Sequence, residues 1–247
     1  MKISLTKAGK RYNRDWIFRN LSYEFVSGTS YAITGPNGSG KSTLLQAIGG
    51  ALVLSEGQAS YELRATRYEP GGKSREFGVG PAPRSFSEGG SRETKQQTTN
   101  DKQQTTNSQL HSDNIYQRLS IAAPYLELIE EMTINEFLHF HAQFKPFLTS
   151  ISIDNIIAKV GLEKAKDKQI RYYSSGMKQR AKLAQAIFSD VELVLLDEPC
   201  TNLDGEGIAL YQQLIRDYCM NRLVIVSSND EAEYGFCQSR LNILDYK

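Results

Sequence analysis

Apolar residues recur along this chain in two rhythms. Short runs at Ser30–Thr34 (SYAIT), residues 191–196 (VELVLL), Leu223–Ser227 (LVIVS) and residues 241–244 predict strands. VELVLL and LVIVS are nearly continuous, the mark of parallel strands buried on both faces. Between the runs, apolar positions fall at helical spacing. Residues 43–48 (TLLQAI) stop at Gly49 and Gly50, and residues 153–160 stop at Gly161. Residues 133–144 (TINEFLHFHAQF) read as a helix with Thr133 as N-cap and Glu136 in its first turn. Two more helices are predicted, from about Met177 and over residues 207–218. Residues 1–25 read as short strands with turns, and residues 52–61 as a turn at Gly57 followed by another strand. Strands alternating with helices predict an α/β fold with a largely parallel sheet.

One stretch breaks both rhythms. From residue 63 to 113 the chain is rich in Gly, Ser, Thr, Gln and Asn, and KQQTTN at 95–100 returns unchanged at 102–107. The seven-residue period is no heptad, because no position in it is apolar. Such a segment cannot offset its ordering entropy by burial, so a mobile insertion is expected there.

Composition narrows the function classes. Over 247 residues, 29 basic side chains nearly cancel 28 acidic ones, so no overall field points to nucleic acid. No apolar run approaches the ~20 residues that span a bilayer, and MKISLTKAGKRY is too polar for a secretory signal. Cys200, Cys219 and Cys237 lack C-x-x-C spacing and read as free thiols of a reducing cytosol. His139 and His141 lie two apart, on different helix faces, and read as packing or surface residues rather than metal ligands. Residues 164–168 read as a solvated charge run.

The strongest chemical signal lies between strand SYAIT and helix TLLQAI. Gly35, Pro36, Asn37, Gly38, Ser39, Gly40, Lys41, Ser42 and Thr43 read GPNGSGKST, a phosphate-binding P-loop. Backbone N–H groups of such a loop and the helix N-terminus converge on one spot that favours anionic oxygen. Lys41 would reach the terminal phosphates and the Ser42 hydroxyl would ligate Mg²⁺. At the end of VELVLL stand Asp197, placed to hold Mg²⁺, and Glu198, placed to orient or deprotonate an attacking water. Tyr12, Trp16 and Phe18 precede the loop, and each could stack on a base.

Three further motifs stand in order: YSSGMKQR at 173–180, LLDEP at 195–199 and TNLD at 201–204. With them the chain resembles the ATP-binding-cassette (ABC) ATPases, the motor subunits of ABC transporters, over nearly everything except the polar insertion. The resemblance implies a P-loop NTPase fold with a parallel core sheet, an antiparallel β subdomain and a helical subdomain at about 115–180. It implies ATP and Mg²⁺ as cofactors and a head-to-tail dimer, with itself or a second ATPase chain. Each nucleotide would lie between the Lys41 loop and the partner's signature residues, here Tyr173, Ser174, Ser175, Gly176 and Met177, with Asp204 in the D-loop. By position Tyr12 matches the family's adenine-stacking aromatic. Integral membrane subunits are the implied partners, which would hold the chain at the inner, cytoplasmic face of the membrane, and no nucleic acid is expected. The sequence departs from the pattern at two places: Pro124 stands where the family has its Q-loop glutamine, and Asn229 where it has its switch histidine. Those departures leave open a non-hydrolysing nucleotide switch, and a soluble ABC-type ATPase without a transport role is the other alternative.

Overall fold

The computed structural model describes residues 1–63, 108–110 and 112–247. Its strands are β1 (Lys2–Tyr12), β2 (Asp15–Val26), β3 (Ser30–Thr34), β4 (Glu56–Leu63), β5 (Ser108–Leu110), β6 (Leu119–Ala122), β7 (Leu193–Asp197), β8 (Leu223–Ser227) and β9 (Ser239–Asn242). Its α-helices are α1 (Lys41–Ile48), α2 (Ile134–Ala142), α3 (Ile153–Lys159), α4 (Ser175–Phe188), α5 (Gly205–Tyr218) and α6 (Glu231–Tyr234).

The expected parallel sheet is present, in the order β6-β7-β8-β3-β9, with every pairing parallel. Side chains of its central strands alternate between two cores. Leu193, Leu195, Leu223, Ile225, Tyr31 and Ile33 join α1 and the first two strands on one face. Val194, Leu196, Val224 and Val226 face the other way, onto α2, α4 and α5. Burial on both faces is why these runs read as continuously apolar.

The first 26 residues differ from the expectation of short strands. β1 and β2 are 11 and 12 residues long and form one antiparallel hairpin, with register shifts along β1 that interrupt its alternation. β4 flanks β1 and β5 flanks β4, giving the antiparallel sheet β2-β1-β4-β5. Gly57 lies inside β4 rather than in a turn before it. It sits at φ 73, where a Cβ would collide with the Lys7 carbonyl, so only glycine fits this irregularity of the β1–β4 ladder.

The polar insertion expected over 63–113 lies outside the described residues at 64–107 and 111. Its ends do not: Leu63 pairs with Ser108 and Tyr61 with Leu110. In the stretch 115–180, β6 belongs to the parallel sheet, and the α-helices begin only at Ile134. The expected cap of α2 is there: Thr133 Oγ1 accepts from Glu136 N–H, and the Glu136 carboxylate accepts from Thr133 N–H at 2.8 Å. The charge run at 164–168 is not wholly solvated, because a short turn at Glu163–Ala165 buries Ala165 beside Ile170. Among the described residues, no helix is long and apolar enough to cross a membrane.

Candidate nucleotide site

The P-loop leaves β3 and opens α1 as the sequence requires. Pro36, Asn37 and Gly38 form its exposed crest, and Ser39 is buried beneath. Gly40 stands at the N-cap of α1 in the left-handed region, at φ 100, and a Cβ there would strike Ile17 of β2. The helix therefore starts with no side-chain cap on its first N–H groups, the arrangement that favours an anion there. Lys41 is buried to 4 % exposure, with Nζ donating to the carbonyls of Gly35 at 3.0 Å and Pro36 at 3.3 Å. Its ammonium is thus folded over its own loop, on weak neutral acceptors that an anionic oxygen can replace. Ser42 and Thr43 are half-buried in the first turn.

Parallel pairing carries the acidic residues to the same edge. β8 separates β7 from β3, and Asp197 lies opposite Ser227, which lies opposite Ile33. Asp197 is 2 % exposed, and its Oδ1 has no hydrogen-bond partner in the chain. Ser39 Oγ and Ser227 Oγ share that condition, and among the described residues these three atoms are the buried side-chain oxygens so left. All of them lie at the carboxyl edge of the parallel sheet, where open α/β sheets take ligands. A buried polar atom without a partner costs about 1–3 kcal/mol, a cost a ligand removes. Glu198 follows in a left-handed conformation, φ 43, with its N–H donating to Ser227 O at 2.9 Å. A non-glycine residue held there marks strain of the kind that gathers at functional sites. Asn229 is exposed just past β8.

Of the three aromatics upstream, the structure keeps one clear candidate for stacking. Phe18 is fully buried, because β2 directs it into the core, so it cannot meet a base. Trp16 is covered by the Arg19 guanidinium, 4.5 Å from its ring, and by Arg11 at 5.5 Å. Tyr12 ends β1 with 48 % of its surface exposed and a single cation, Lys10 Nζ, 5.2 Å from its ring.

The signature residues open α4. Ser174 is its N-cap, accepting from Met177 N–H at 3.2 Å, and Ser175 is exposed beside it. A Cβ at Gly176 would stand 2.9 Å from Asn202 O, so glycine lets α4 approach the TNLD loop. Asp204 caps α5 through Gly207 N–H at 2.8 Å and meets Arg180 at 3.6 Å. Ser174 to Met177, Arg180 and residues 202–204 line a cleft of about 330 Å³. Tyr173 does not belong to that surface. It is 5 % exposed, with its hydroxyl donating to Ala165 O at 2.9 Å, and so anchors the loop from below.

Three contacts were not legible in the sequence. Gln179, buried on α4, donates to Pro199 O at 2.7 Å, tying the signature helix to the acidic loop. Lys182 Nζ donates to Ala123 O and to Pro124 O at 3.3 and 2.9 Å. Tyr125 follows in the same turn; burial pushes its phenol pKa up, the Gln46 side chain of α1 acts against that, and the Asp197 charge adds to it. A helix-facing Lys or Gln and a turn tyrosine carry no periodic signal that would have singled them out.

A P-loop opening a helix and an acidic pair at the same edge of one parallel sheet define a nucleotide-binding α/β protein. Residues 18–201 match the ABC transporter family. The chain belongs to that family, as its ATP-binding, ATP-hydrolysing subunit. The uncharacterized ABC transporter ATP-binding protein YybJ of Bacillus subtilis (strain 168) is 24 % identical over 94 % of this chain and 87 % of its own length. Among solved structures, an ATP-binding subunit of an ABC transporter superposes with TM-score 0.71 at 17 % identity, covering 98 % of this chain and 86 % of that one. The dimeric bacterial ABC transporter cassette MJ0796 superposes with TM-score 0.67 at 18 % identity, covering 98 % and 94 %.

Proposed function

We propose that this chain binds ATP together with Mg²⁺ in the loop at 35–43 and hydrolyses it to drive a separate membrane-embedded partner. The observation that carries this reading is the carboxyl edge of the parallel sheet, with an uncapped helix N-terminus beside a buried, unpartnered aspartate oxygen. The residues there fit a hard cation next to a polyphosphate: the Ser42 hydroxyl and the Asp197 carboxylate are the oxygen donors that would hold it. When bound, Mg²⁺ neutralises charge on the terminal phosphate oxygens. The chain's own groups do the rest. Lys41 exchanges the carbonyls of Gly35 and Pro36 for phosphate oxygens, and the α1 N–H groups hold the phosphates in place. Glu198 orients the attacking water and takes its proton. Tyr12 stacks on the base, and Asn229 donates its side-chain amide to the terminal phosphate.

Ser174, Ser175 and Gly176 are placed to cover a nucleotide held by a second cassette, a copy of this chain or a different one, with Met177 behind them and Asp204 lining the same cleft. The dimeric cassette among the structural neighbours supports that pairing. Membrane subunits would engage the helical region at about 115–180, which would hold the chain at the cytoplasmic face of a membrane. Mg²⁺-dependent ATP turnover by the purified chain, measured beside Glu198→Gln, tests the reading. The parent turns over and the variant loses at least about 100-fold in rate while still binding ATP. Turnover by Glu198→Gln at the parental rate would refute it.

A further inference from the structure

Glu198 stands in a loop whose backbone bonds can be followed one by one. β7 ends at Asp197 and Glu198 turns out of it at φ 43, so the next residues leave the sheet ladder and need other partners. Glu198 N–H donates to Ser227 O at 2.9 Å, and Glu198 O accepts from Thr201 N–H at 3.1 Å. Pro199 has no N–H, and its carbonyl accepts from Gln179 of α4 at 2.7 Å. Cys200 O accepts from Leu203 N–H at 2.9 Å. That leaves the Cys200 N–H, which no carbonyl of the loop satisfies. It donates to Glu233 Oε1 at 2.7 Å, on a residue only 5 % exposed. Glutamate is seldom so buried unless it is bonded, and a bond that a carboxylate accepts is stronger than one between neutral groups. None of the recognised motifs contains Glu233. It lies on α6, which begins two residues after Asn229. α6 is gripped in turn by α5, the helix that Asp204 caps: Tyr211 Oη donates to Glu233 O at 2.9 Å and Gln212 Nε2 to Ala232 O at 2.8 Å. One carboxylate thus joins the Glu198 loop to the Asn229 segment, on a support shared with the TNLD loop.

We propose that Glu233 is a positioning residue for Glu198, its carboxylate holding the Cys200 N–H so that Glu198 stays aimed at the attacking water. A non-glycine residue keeps a left-handed conformation only where its surroundings impose it. Among the described residues, Gln179 and Glu233 supply the side-chain bonds to the backbone of residues 198–200. Without the Glu233 acceptor the Cys200 N–H is left buried and unpaired, and the loop relaxes toward a conformation that pairs it. Glu198 then loses its aim. The loop at 35–43 makes none of these bonds, so the effect falls on turnover rather than on ATP binding. This inference rests on the role of Glu198 proposed above and adds the group that holds it in place.

The test measures Mg²⁺-dependent ATP turnover and the affinity of a fluorescent ATP analogue for the parent, Glu233→Leu, Glu233→Gln, Glu198→Gln and the double variant Glu198→Gln/Glu233→Leu. Glu233→Leu should lose about tenfold in kcat, the scale of one hydrogen bond to a charged group, and keep its affinity within about twofold. Glu233→Gln should recover most of that loss, because its amide oxygen still accepts from the Cys200 N–H. In the Glu198→Gln background the Leu substitution should lower the residual single-turnover rate by less than about twofold, since no carboxylate is left to aim. If Glu233→Leu does not fold, Glu233→Asp, which draws the oxygens back by one methylene, should show the same split between turnover and affinity with a smaller loss. Parental turnover in whichever of these two variants folds overturns the role of Glu233 and leaves the site standing. So does affinity lost in step with turnover, a Glu233→Gln variant as slow as Glu233→Leu, or a further loss of about tenfold on top of Glu198→Gln. A parent without Mg²⁺-dependent turnover, or a Glu198→Gln variant as fast as the parent, would instead overturn the reading on which the inference rests.

Discussion

The start of α1 and the starts of the other helices treat their free N–H groups in opposite ways. α2, α3, α4, α5 and α6 are each capped by a side chain, from Thr133, Ser152, Ser174, Asp204 and Asp230. Among the described α-helices only α1 begins without one, on a glycine at φ 100. The buried polar side-chain atoms follow the same division. In the helical region Tyr173 and Gln179 are both bonded to backbone carbonyls, whereas Ser39, Asp197 and Ser227 at the sheet edge leave oxygens unpartnered. An unmade hydrogen bond is costly and a made one contributes modestly, so the asymmetry is informative. Away from the signature loop the helical region is closed on itself as a frame, and the sheet edge is completed by something that binds.

The largest effect that would sharpen this contrast is expected at Lys41. Lys41→Ala should weaken ATP binding about 100-fold, since it removes charge-assisted bonds to phosphate. Its nucleotide-free melting temperature should move little, because the Lys41 ammonium donates only to carbonyls of its own loop. A large drop in melting temperature would make Lys41 part of the frame and break the comparison. Next in size is Asn229→His. An imidazolium would replace a neutral donor at the terminal phosphate, so turnover should rise several-fold, roughly 3- to 10-fold. Steady-state assays showing no increase would mean that Asn229 does not limit the reaction.

On the frame side the signs reverse. Thr133→Ala should cost about 1 kcal/mol in denaturant unfolding and leave nucleotide affinity unchanged. A smaller, pH-dependent effect belongs to His141, which shares a hydrogen bond with Ser189 and has its pKa lowered to about 4 by burial and then by Lys145. Between its ordinary value near 6.5 and that lower one, the unfolded chain binds a proton that the folded chain does not. The stability due to neutral His141 is thus full above pH 6.5 and declines as the pH falls toward 4. In melting curves across that range, His141→Gln should flatten the decline; an equally steep decline in the variant would show that other groups cause it.

How much of this was legible in the sequence depended on whether a signal was local. The P-loop is, because its glycines, Lys41 and Ser42 act through their own backbone. So are the VELVLL strand with its acidic end and the capping box at Thr133. What stayed hidden depends on distant partners. The burial of Phe18 but not Tyr12 follows from the register of β1 on β2, and register shifts leave no composition signal. The burial of Tyr173 requires Ala165 to fold beneath it. Tyr125 sits in a turn, and its approach to the strand end at Asp197 arises only when β6 is laid beside β7. Pairing of Leu63 with Ser108 was likewise invisible, since three residues of strand at the end of a polar stretch show no alternation.

The central claim is that Asp197 serves a ligand rather than the fold. Melting temperatures of the parent and Asp197→Asn, each with and without Mg²⁺-ATP, test it most directly. At ligand about 100-fold above Kd the parent gains roughly 2.7 kcal/mol, or about 5–10 °C for a chain of this size. The account predicts that Asp197→Asn melts within about 2 °C of the parent without nucleotide and loses most of that gain. A variant that melts far lower without nucleotide, or keeps the full Mg²⁺-ATP shift, would contradict it.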